Sequence, residues 1–215
     1  MIQLHYFPGN ASLIPHLLLE ELGLPFELQY VDRGVSAQKS PAYLKLNPNG
    51  LIPVFVDGGL VLYETAAICL HLADANPKAG FAPAPGTPER AHFYKWLAWM
   101  TNTLQAALII YFYPERWMEE GNAAGAAELK SRAEAKIGAM LDQLDAHFAA
   151  HGRDWFSGER FGVLDPYAFV LCRWTRGFKR PARSLPHLKG FLDRMLARPA
   201  VQRALATEKL AAPYV

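Results

Sequence analysis

Alternating apolar and polar positions predict two β-strands in the first thirty residues. The alternating apolar residues are Ile2, Leu4 and Tyr6 in the first segment and Phe26, Leu28 and Tyr30 in the second. Between the two segments, leucines at helical spacing predict a helix that starts near Asn10 or Ser12, either of which could be its N-cap, and stops at Gly23. Strand, helix and strand within about 30 residues form a right-handed βαβ unit with parallel strands.

Three further elements follow this unit. A short helix is predicted at 40–44, with Ser40 as its cap and proline at its first position. The segment 54–62 predicts a β-hairpin, because its central Asp57-Gly58-Gly59 supplies the positive φ angles that a tight turn requires. A helix from about Glu64 to Ala75 comes next.

The second part of the chain has the apolar spacing of helices. Proline and glycine are frequent in residues 78–88, which we interpret as a linker. Shorter helices are predicted at about 164–178, 187–197 and 200–207. Before them, two apolar stripes at helical spacing predict two long helices. The stripes are Trp96, Met100, Leu104 and Leu108, then Leu129, Ala133, Ile137, Leu141, Leu144 and Phe148. The pattern predicts an α/β domain over 1–77, the linker 78–88 and an all-helical domain over 89–215.

Composition excludes several classes of protein. Apolar residues make up 51% of the chain and charged residues 20%, which is the balance of a globular protein rather than a disordered one. A net charge of +2 argues against nucleic acid as a partner, and we expect the basic cluster Arg173, Arg176, Lys179, Arg180 and Arg183 to be a solvated face. Cys69 and Cys172 fit neither a disulfide framework nor a metal site. With no export signal and no long apolar segment, we expect a cytoplasmic protein that does not enter the membrane.

Two short segments carry the candidate recognition chemistry. Pro53, at the entrance of a predicted strand, is either an ordinary edge proline or part of a cis Ile52-Pro53 bond. In the second case the backbone of Ile52 would be free to pair with a ligand in the manner of a strand. Glu64-Thr65 begins a helix whose exposed amides attract an anion while the carboxylate can bind an ammonium group, so it is either a site for a free α-amino acid moiety or a plain cap.

The sequence resembles the cytosolic glutathione transferases along nearly its full length. The resemblance rests on four segments in the order and spacing of that family: Asn47-Pro48-Asn49-Gly50-Leu51-Ile52-Pro53-Val54, Leu62-Tyr63-Glu64-Thr65-Ala66-Ala67-Ile68, Gly158 to Tyr167, and Arg198 to Ala204. The opening Tyr6 to Leu13 is similar to the bacterial beta-like branch. The family implies a thioredoxin-like domain that binds glutathione, a helical domain that binds an apolar co-substrate, and a homodimer.

The resemblance assigns roles to individual residues. It implies that the backbone of Ile52, next to Pro53, pairs with the cysteinyl unit of glutathione and that Glu64 and Thr65 hold the γ-glutamyl end. Lys39 is a candidate partner for the glycyl carboxylate, with a solvated surface lysine as the alternative.

The chain departs from the beta-like pattern at one informative position. Members of that branch usually carry a cysteine two residues after the glycine, and here that residue is Ala11. A mixed disulfide with glutathione therefore has no nucleophile at this place, and the glutathione thiolate must be stabilised non-covalently. Ser12 at the head of the first helix is our leading donor, with Tyr6 and Asn10 as alternatives and a simple N-cap as the other interpretation of Ser12.

For the co-substrate pocket, the candidates are the aromatic residues near the end of a long helix. Tyr111 and Tyr113 combine apolar rings with hydroxyl groups, which suits the binding of an apolar electrophile, although aromatic residues at helical spacing also form cores. Asn102 and Gln105 either face the same cleft or are surface residues.

Asp165 has two structural interpretations. Local rules make it an N-cap with Pro166 at the first helical position. The resemblance instead implies that Gly162 is the N-cap and that the carboxylate of Asp165, three residues later, binds exposed backbone amides.

The function implied by the resemblance is a detoxifying transfer of glutathione to small apolar electrophiles, without a metal. The alternatives are glutathione-dependent peroxide reduction or isomerisation, and a non-catalytic member that contacts other proteins. Affinity for glutathione separates the last class from the first two, because only a binding-competent site is retained on immobilised glutathione.

Overall fold

The computed structural model describes all residues from Met1 to Val215, and the chain forms two compact units. The first unit comprises Met1–Ala82 and Met195–Ala212, and the second comprises Pro83–Arg194 and Pro213–Val215. The sequence pattern placed the whole of 89–215 in one helical domain. In the structure, residues 195–212 group instead with the N-terminal unit.

A four-stranded mixed sheet forms the centre of the first unit. Its strands are β1 (Ile2–Tyr6), β2 (Phe26–Tyr30), β3 (Val54–Asp57) and β4 (Leu60–Tyr63), in the spatial order β2-β1-β3-β4. Strand β1 is parallel to β2 and antiparallel to β3, and β3 is antiparallel to β4. The predicted βαβ unit and the predicted hairpin are both confirmed.

Four α-helices belong to this unit: α1 (Leu13–Leu22), α2 (Pro41–Leu44), α3 (Thr65–Ala75) and α9 (Pro199–Thr207). Helix α1 packs against both α3 and α9. A bidentate ion pair joins Arg198 to Glu21, with 2.6 Å between Nη2 and Oε2, and Arg203 Nε lies 2.7 Å from Glu20 Oε2. Periodicity alone cannot tell which helix α9 contacts, and for that reason the sequence did not place it here.

The second unit is helical. It contains α4 (Pro88–Trp99), a π-helical segment Met100–Gln105, α5 (Ala106–Phe112), α6 (Ala123–His151), α7 (Leu164–Trp174) and most of α8 (Pro186–Ala197). None of the helices in the structure combines the length and the hydropathy that crossing a bilayer requires.

The π-helical segment explains an apolar stripe with a spacing of four residues. Met100, Leu104 and Leu108 are all fully buried. In a regular α-helix, each step of four residues rotates the side chain by about 40° beyond a full turn, because each residue turns the helix by about 100°. The wider i to i+5 turn of a π segment takes up this rotation and keeps the stripe on one face.

Two members of the basic cluster form ion pairs in the second unit. Arg180 makes a bidentate pair with Asp142, and Arg183 Nη2 lies 2.6 Å from Asp193 Oδ1. Arg180 and Arg183 therefore agree with a solvated face, whereas Arg173 is buried and its guanidinium donates to the carbonyl of Tyr214.

Asp165 is a buried carboxylate within the first turn of α7. The prediction that it is the N-cap is wrong, because α7 begins one residue earlier, at Leu164. Its Oδ1 accepts the backbone N–H of Phe156 at 2.8 Å, and its Oδ2 accepts that of Gly162 at 2.7 Å. The carboxylate therefore binds exposed amides, as the second interpretation held, but the N-cap is Val163 and not Gly162.

We expect Asp165→Ala to lower the free energy of unfolding by about 2–4 kcal/mol, because two buried N–H groups lose their acceptor. Urea denaturation followed by circular dichroism measures this change. The matched control is Asp142→Ala, which removes an exposed ion pair and is expected to have a much smaller effect on stability. Equal effects of the two substitutions would contradict a structural role for Asp165.

Candidate functional site

Four segments of the first unit meet at one edge of its sheet. His5 in β1 lies opposite Val54, the first residue of β3, and Val54 lies opposite Tyr63, the last residue of β4. The carboxyl ends of β1 and β4 and the amino end of β3 are therefore neighbours. Parallel pairing of Tyr6 with Tyr30 adds the carboxyl end of β2 to the same edge. The loop after β1, the Ile52-Pro53 segment and the Glu64-Thr65 turn all start from this edge.

The Ile52-Pro53 peptide bond is cis, which decides between the two interpretations of Pro53. The hydroxyl of Tyr43 and the amide Nδ2 of Asn47 both donate to the carbonyl of Leu51, each at 2.9 Å, and so hold the loop in place. The N–H and the C=O of Ile52 make no hydrogen bond within the chain. They are left available to a partner that binds in an extended conformation.

The turn before α3 places a carboxylate beside a helix N-terminus. Glu64 has φ 70° and ψ 111°, a conformation that costs a residue with a side chain on the order of 1–3 kcal/mol. The side chain is exposed and does not cap the helix. Neither the Glu64 carboxylate nor the Thr65 hydroxyl has a hydrogen-bond partner within the chain, so both can bind a ligand that carries an ammonium and a carboxylate group.

Lys39 lies over the loop that leads to Ile52. Its Nζ donates to the carbonyl of Asn49 at 3.1 Å. Gly50 has φ 60°, and a Cβ at this position would lie 2.8 Å from the same Nζ. The absence of a side chain at Gly50 therefore lets the ammonium group approach this segment.

Two of the three candidate thiolate donors, Asn10 and Ser12, lie at the head of α1, and the third, Tyr6, is the last residue of β1. Ser12 is at the N-cap position, but its buried hydroxyl does not cap the helix; it donates to the Phe7 carbonyl at 3.2 Å and accepts the Phe7 N–H at 3.3 Å. Asn10 Oδ1 accepts the Ala11 N–H, which leaves the amide Nδ2 without an acceptor in the chain. The main-chain N–H of Ser12 also has no acceptor in the chain.

Tyr6 is held in its protonated form. Burial, followed by the nearby Glu208 carboxylate and the Tyr30 phenol, raises the pKa of Tyr6 above the ordinary value of a tyrosine. At neutral pH its hydroxyl is therefore a hydrogen-bond donor.

Glu208, which no sequence pattern singles out, is a buried carboxylate that fixes the loop after β1. Its Oε2 accepts the Gly9 N–H at 2.7 Å, and its Oε1 accepts a hydrogen bond from His16 Nδ1 at 2.8 Å. The one signal was His16, because a histidine inside the apolar α1 needs a buried partner. Nothing in the sequence showed that the partner lies 192 residues away.

The structure places the predicted co-substrate residues in the second unit. The Tyr111 ring lies 4.2 Å from the Phe178 ring, and Lys130 Nζ lies 4.8 Å from the Tyr111 ring centre. Burial and then the charge of Glu134 raise the pKa of Tyr111.

The other residues predicted near Tyr111 have different partners. The Arg116 guanidinium lies 4.0 Å above the ring of Tyr113. Gln105 Oε1 accepts the Tyr167 hydroxyl at 2.8 Å, whereas Asn102 is exposed. The pocket role of Tyr111 and Tyr113 stays a prediction.

Comparison with known proteins gives the same family for both parts of the chain. Residues 11–75 match the model of the glutathione S-transferase N-terminal domain, and residues 99–199 match that of the C-terminal domain. The chain is 33% identical over 209 residues to glutathione S-transferase GST-4.5 of Xanthomonas campestris pv. campestris, covering 97% of this chain and 100% of that protein.

The chain belongs to the glutathione S-transferase family. Its fold agrees with solved members, and the expected thioredoxin-like sheet and helical C-terminal part are confirmed. A glutathione transferase homologue from Sulfitobacter with bound glutathione superimposes with a TM-score of 0.87 at 26% identity, over 98% of this chain and 99% of that one. A sphingomonad glutathione S-transferase complexed with glutathione gives 0.82 at 33% identity, over 97% and 100%.

The structure of this family member has no group of three or more His, Cys, Asp or Glu side chains that could hold a metal ion.

Proposed function

We propose that this protein binds glutathione at the shared sheet edge and transfers it, as the thiolate, to small apolar electrophiles. The observation that carries the proposal is the convergence of unpaired polar groups on one edge: the Ile52 backbone, the Glu64 carboxylate and the Thr65 hydroxyl. Each group matches a part of a γ-glutamyl tripeptide.

The tripeptide would cross this edge in an extended conformation. The N–H and C=O of Ile52 pair with the cysteinyl unit, next to the cis bond to Pro53. The γ-glutamyl end carries both an ammonium and a carboxylate, and these bind Glu64 and the N-terminal turn of α3 with Thr65. Lys39 supplies a positive charge for the glycyl carboxylate.

Asn10 is the donor that the local geometry favours for the thiolate. The amide Nδ2 of Asn10 has no other acceptor in the chain, whereas the Ser12 hydroxyl already donates to Phe7. The main-chain N–H of Ser12 at the head of α1 and the protonated hydroxyl of Tyr6 at the end of β1 are the further donors. A free thiol has a pKa near 8.5, and a hydrogen bond to a charged group contributes about 1.5–3 kcal/mol, enough to lower that pKa by roughly one to two units.

In the reaction, the glutathione sulfur bonds to the electrophilic carbon while the leaving group departs with the bonding electron pair. The thiol proton goes to solvent before the attack. With Ala11 in place of a cysteine, the enzyme forms no covalent intermediate at this position. Peroxide reduction and isomerisation use the same thiolate and are the alternative activities.

Each part of the chain has its own role in this function. Residues 1–77 bind glutathione, residues 78–88 link the two domains, and residues 89–215 supply electrophile-binding side chains, including Tyr111 and Tyr113. The working form is a cytoplasmic homodimer, as is typical of the family.

Asn10→Ala is expected to raise the kinetic pKa of the bound thiol and to lower kcat/KM at pH about 6.5 by roughly 10- to 100-fold, since one hydrogen bond to the thiolate is lost. The loss should shrink above the pKa of the free thiol, where the thiolate forms without help. The measurement is a pH profile of conjugation to 1-chloro-2,4-dinitrobenzene.

Two matched variants locate the donor. Tyr6→Phe removes only a hydroxyl, and Ser12→Ala removes a hydroxyl that already bonds to Phe7. If Asn10→Ala leaves the pH profile unchanged and Ser12→Ala or Tyr6→Phe shifts it, the donor is that residue and not Asn10.

Retention on immobilised glutathione separates an enzyme from a non-catalytic interaction protein. We expect the wild-type chain to be retained and to elute with free glutathione. Failure to bind would overturn the proposed function.

A further inference from the structure

Three aromatic rings form a continuous surface at the carboxyl ends of β1 and β2. The Tyr6 and Tyr30 rings meet edge to face with 5.9 Å between their centres, and the Phe7 and Tyr30 rings stack with 6.1 Å between theirs. Tyr30, the last residue of the edge strand β2, is 57% exposed although its side chain is a large aromatic ring. An exposed aromatic surface beside a binding edge indicates contact with a ligand.

A cation lies on this surface. The guanidinium carbon of Arg33 is 5.3 Å from the centre of the Phe7 ring, a distance typical of a cation–π contact. The adjacent carboxylate, Asp32, accepts the N–H of Gly34 at 2.8 Å and so closes a turn. We define the aromatic-Arg33 surface as Tyr6, Phe7, Tyr30 and Arg33.

Phe7, one member of the aromatic-Arg33 surface, is fixed in the loop that carries Asn10, the proposed thiolate donor. Both the N–H and the C=O of Phe7 bond to the Ser12 hydroxyl, and the Phe7 carbonyl also accepts the Asn10 N–H at 3.1 Å. The Phe7 ring and the Asn10 amide therefore belong to one hydrogen-bonded loop. We take the Phe7 ring to flank an electrophile that reaches a thiolate beside Asn10, because the two residues share this loop.

We propose that the aromatic-Arg33 surface selects planar aromatic electrophiles that carry an anionic group, such as a ring carboxylate. The aromatic rings bind the ring of the substrate, and the Arg33 guanidinium binds its carboxylate, whose two oxygens match the planar fork of an arginine. This inference rests on the proposed transferase function and adds the class of its second substrate.

The chemistry is nucleophilic aromatic substitution. For a chloronitrobenzoate, the glutathione sulfur forms a bond to the ring carbon that bears chlorine, and the carbon–chlorine bond breaks. Chloride leaves with the bonding electron pair, and the thiol proton has gone to solvent. The carboxylate takes no part in the bond changes, so its effect reports recognition.

The test compares 4-chloro-3-nitrobenzoate with 4-chloro-3-nitrobenzamide, which differ in charge but little in shape. The quantity measured is the ratio of their kcat/KM values, corrected for the spontaneous reactions. We expect Arg33→Gln to lower the benzoate to benzamide ratio by about 10- to 100-fold relative to the wild type, because a charge-assisted contact is lost. Arg33→Lys keeps the positive charge but loses the forked geometry of the guanidinium. Its benzoate to benzamide ratio should therefore lie between those of the wild type and Arg33→Gln. Arg132→Gln, on the exposed face of α6, is the control and should leave the ratio unchanged.

The other outcomes have distinct meanings. An unchanged ratio in Arg33→Gln overturns the inference while the transferase function stands. An equal loss with both substrates, together with a higher KM for glutathione, would place Arg33 in glutathione binding and also overturns it. If the wild type binds no glutathione and conjugates neither substrate, the proposed function itself fails and the inference fails with it.

Discussion

Ala11→Cys is expected to give this protein a glutathione-dependent thiol–disulfide exchange activity that the wild-type chain lacks. Position 11 lies at the head of α1, where the helix dipole and the unpaired N–H of Ser12 stabilise a thiolate. Lowering a thiol pKa from about 8.5 to about 7 raises the thiolate fraction at pH 7 roughly 15-fold. The measurement is reduction of hydroxyethyl disulfide by glutathione, with mass spectrometry of the mixed disulfide.

The two native cysteines are not expected to react in this experiment. Cys69 and Cys172 are both buried, and burial raises the pKa of both thiols, that of Cys172 to about 12. Ala11→Ser is the matched control, because it adds a side chain of similar size without a thiol. If Ala11→Cys folds, binds glutathione and yet forms no mixed disulfide, then position 11 does not face the glutathione sulfur and the proposed site geometry is wrong.

The second large effect is expected at Glu208. Glu208→Ala leaves the Gly9 N–H and His16 Nδ1 without their buried acceptor. Hydrogen bonds to a charged group contribute about 1.5–3 kcal/mol each, so we expect the free energy of unfolding to fall by roughly 3–5 kcal/mol. Urea denaturation measures this loss. Because Gly9 lies in the loop that carries Asn10, the KM for glutathione should also rise.

Two variants make the Glu208 result specific. Glu208→Gln keeps an oxygen acceptor for one of the two donors, so it should retain part of the stability, and it remains measurable if the alanine variant does not fold. Glu119→Ala removes an exposed carboxylate and should change the stability by no more than about 0.5 kcal/mol. Wild-type stability in Glu208→Ala would show that the loop after β1 is held by its other contacts.

The two substitutions test different levels of the site. Ala11→Cys tests where the sulfur of bound glutathione lies, and its result depends on the local geometry at the head of α1. Glu208→Ala tests what keeps the start of α1 in place, and its result depends on a contact from the far end of the chain. Agreement of both results with expectation would tie the glutathione position to the loop between β1 and α1.

Ser12 illustrates how far local sequence rules extend. A serine at the start of a helix is a good cap or an available hydroxyl donor, and the sequence offered both interpretations. The structure shows a third arrangement, in which the hydroxyl bonds to both backbone groups of Phe7. The turn between β1 and α1 brings Phe7 within reach of Ser12, and no pattern of residue types encodes that distance.

By itself, the sequence determined the features that depend on short-range order. These are the parallel βαβ unit, the hairpin of β3 and β4, the helical second part, and the Ile52-Pro53 and Glu64-Thr65 segments that point to glutathione. Strand alternation, helical spacing and turn residues act over a few positions, so they can be read along the chain. The motif order in turn indicated the family.

Only the tertiary structure decided which groups meet and which remain unpaired. The Glu208 carboxylate binds Gly9 from 199 positions away, and α9 packs on α1 although most of the chain separates them. Hydrogen bonds and burial depend on distance in space, and a buried polar group takes whichever partner the fold brings to it. For that reason the sequence could name Asn10, Ser12 and Tyr6 as rivals, and the fold alone showed which of their donors are already in use.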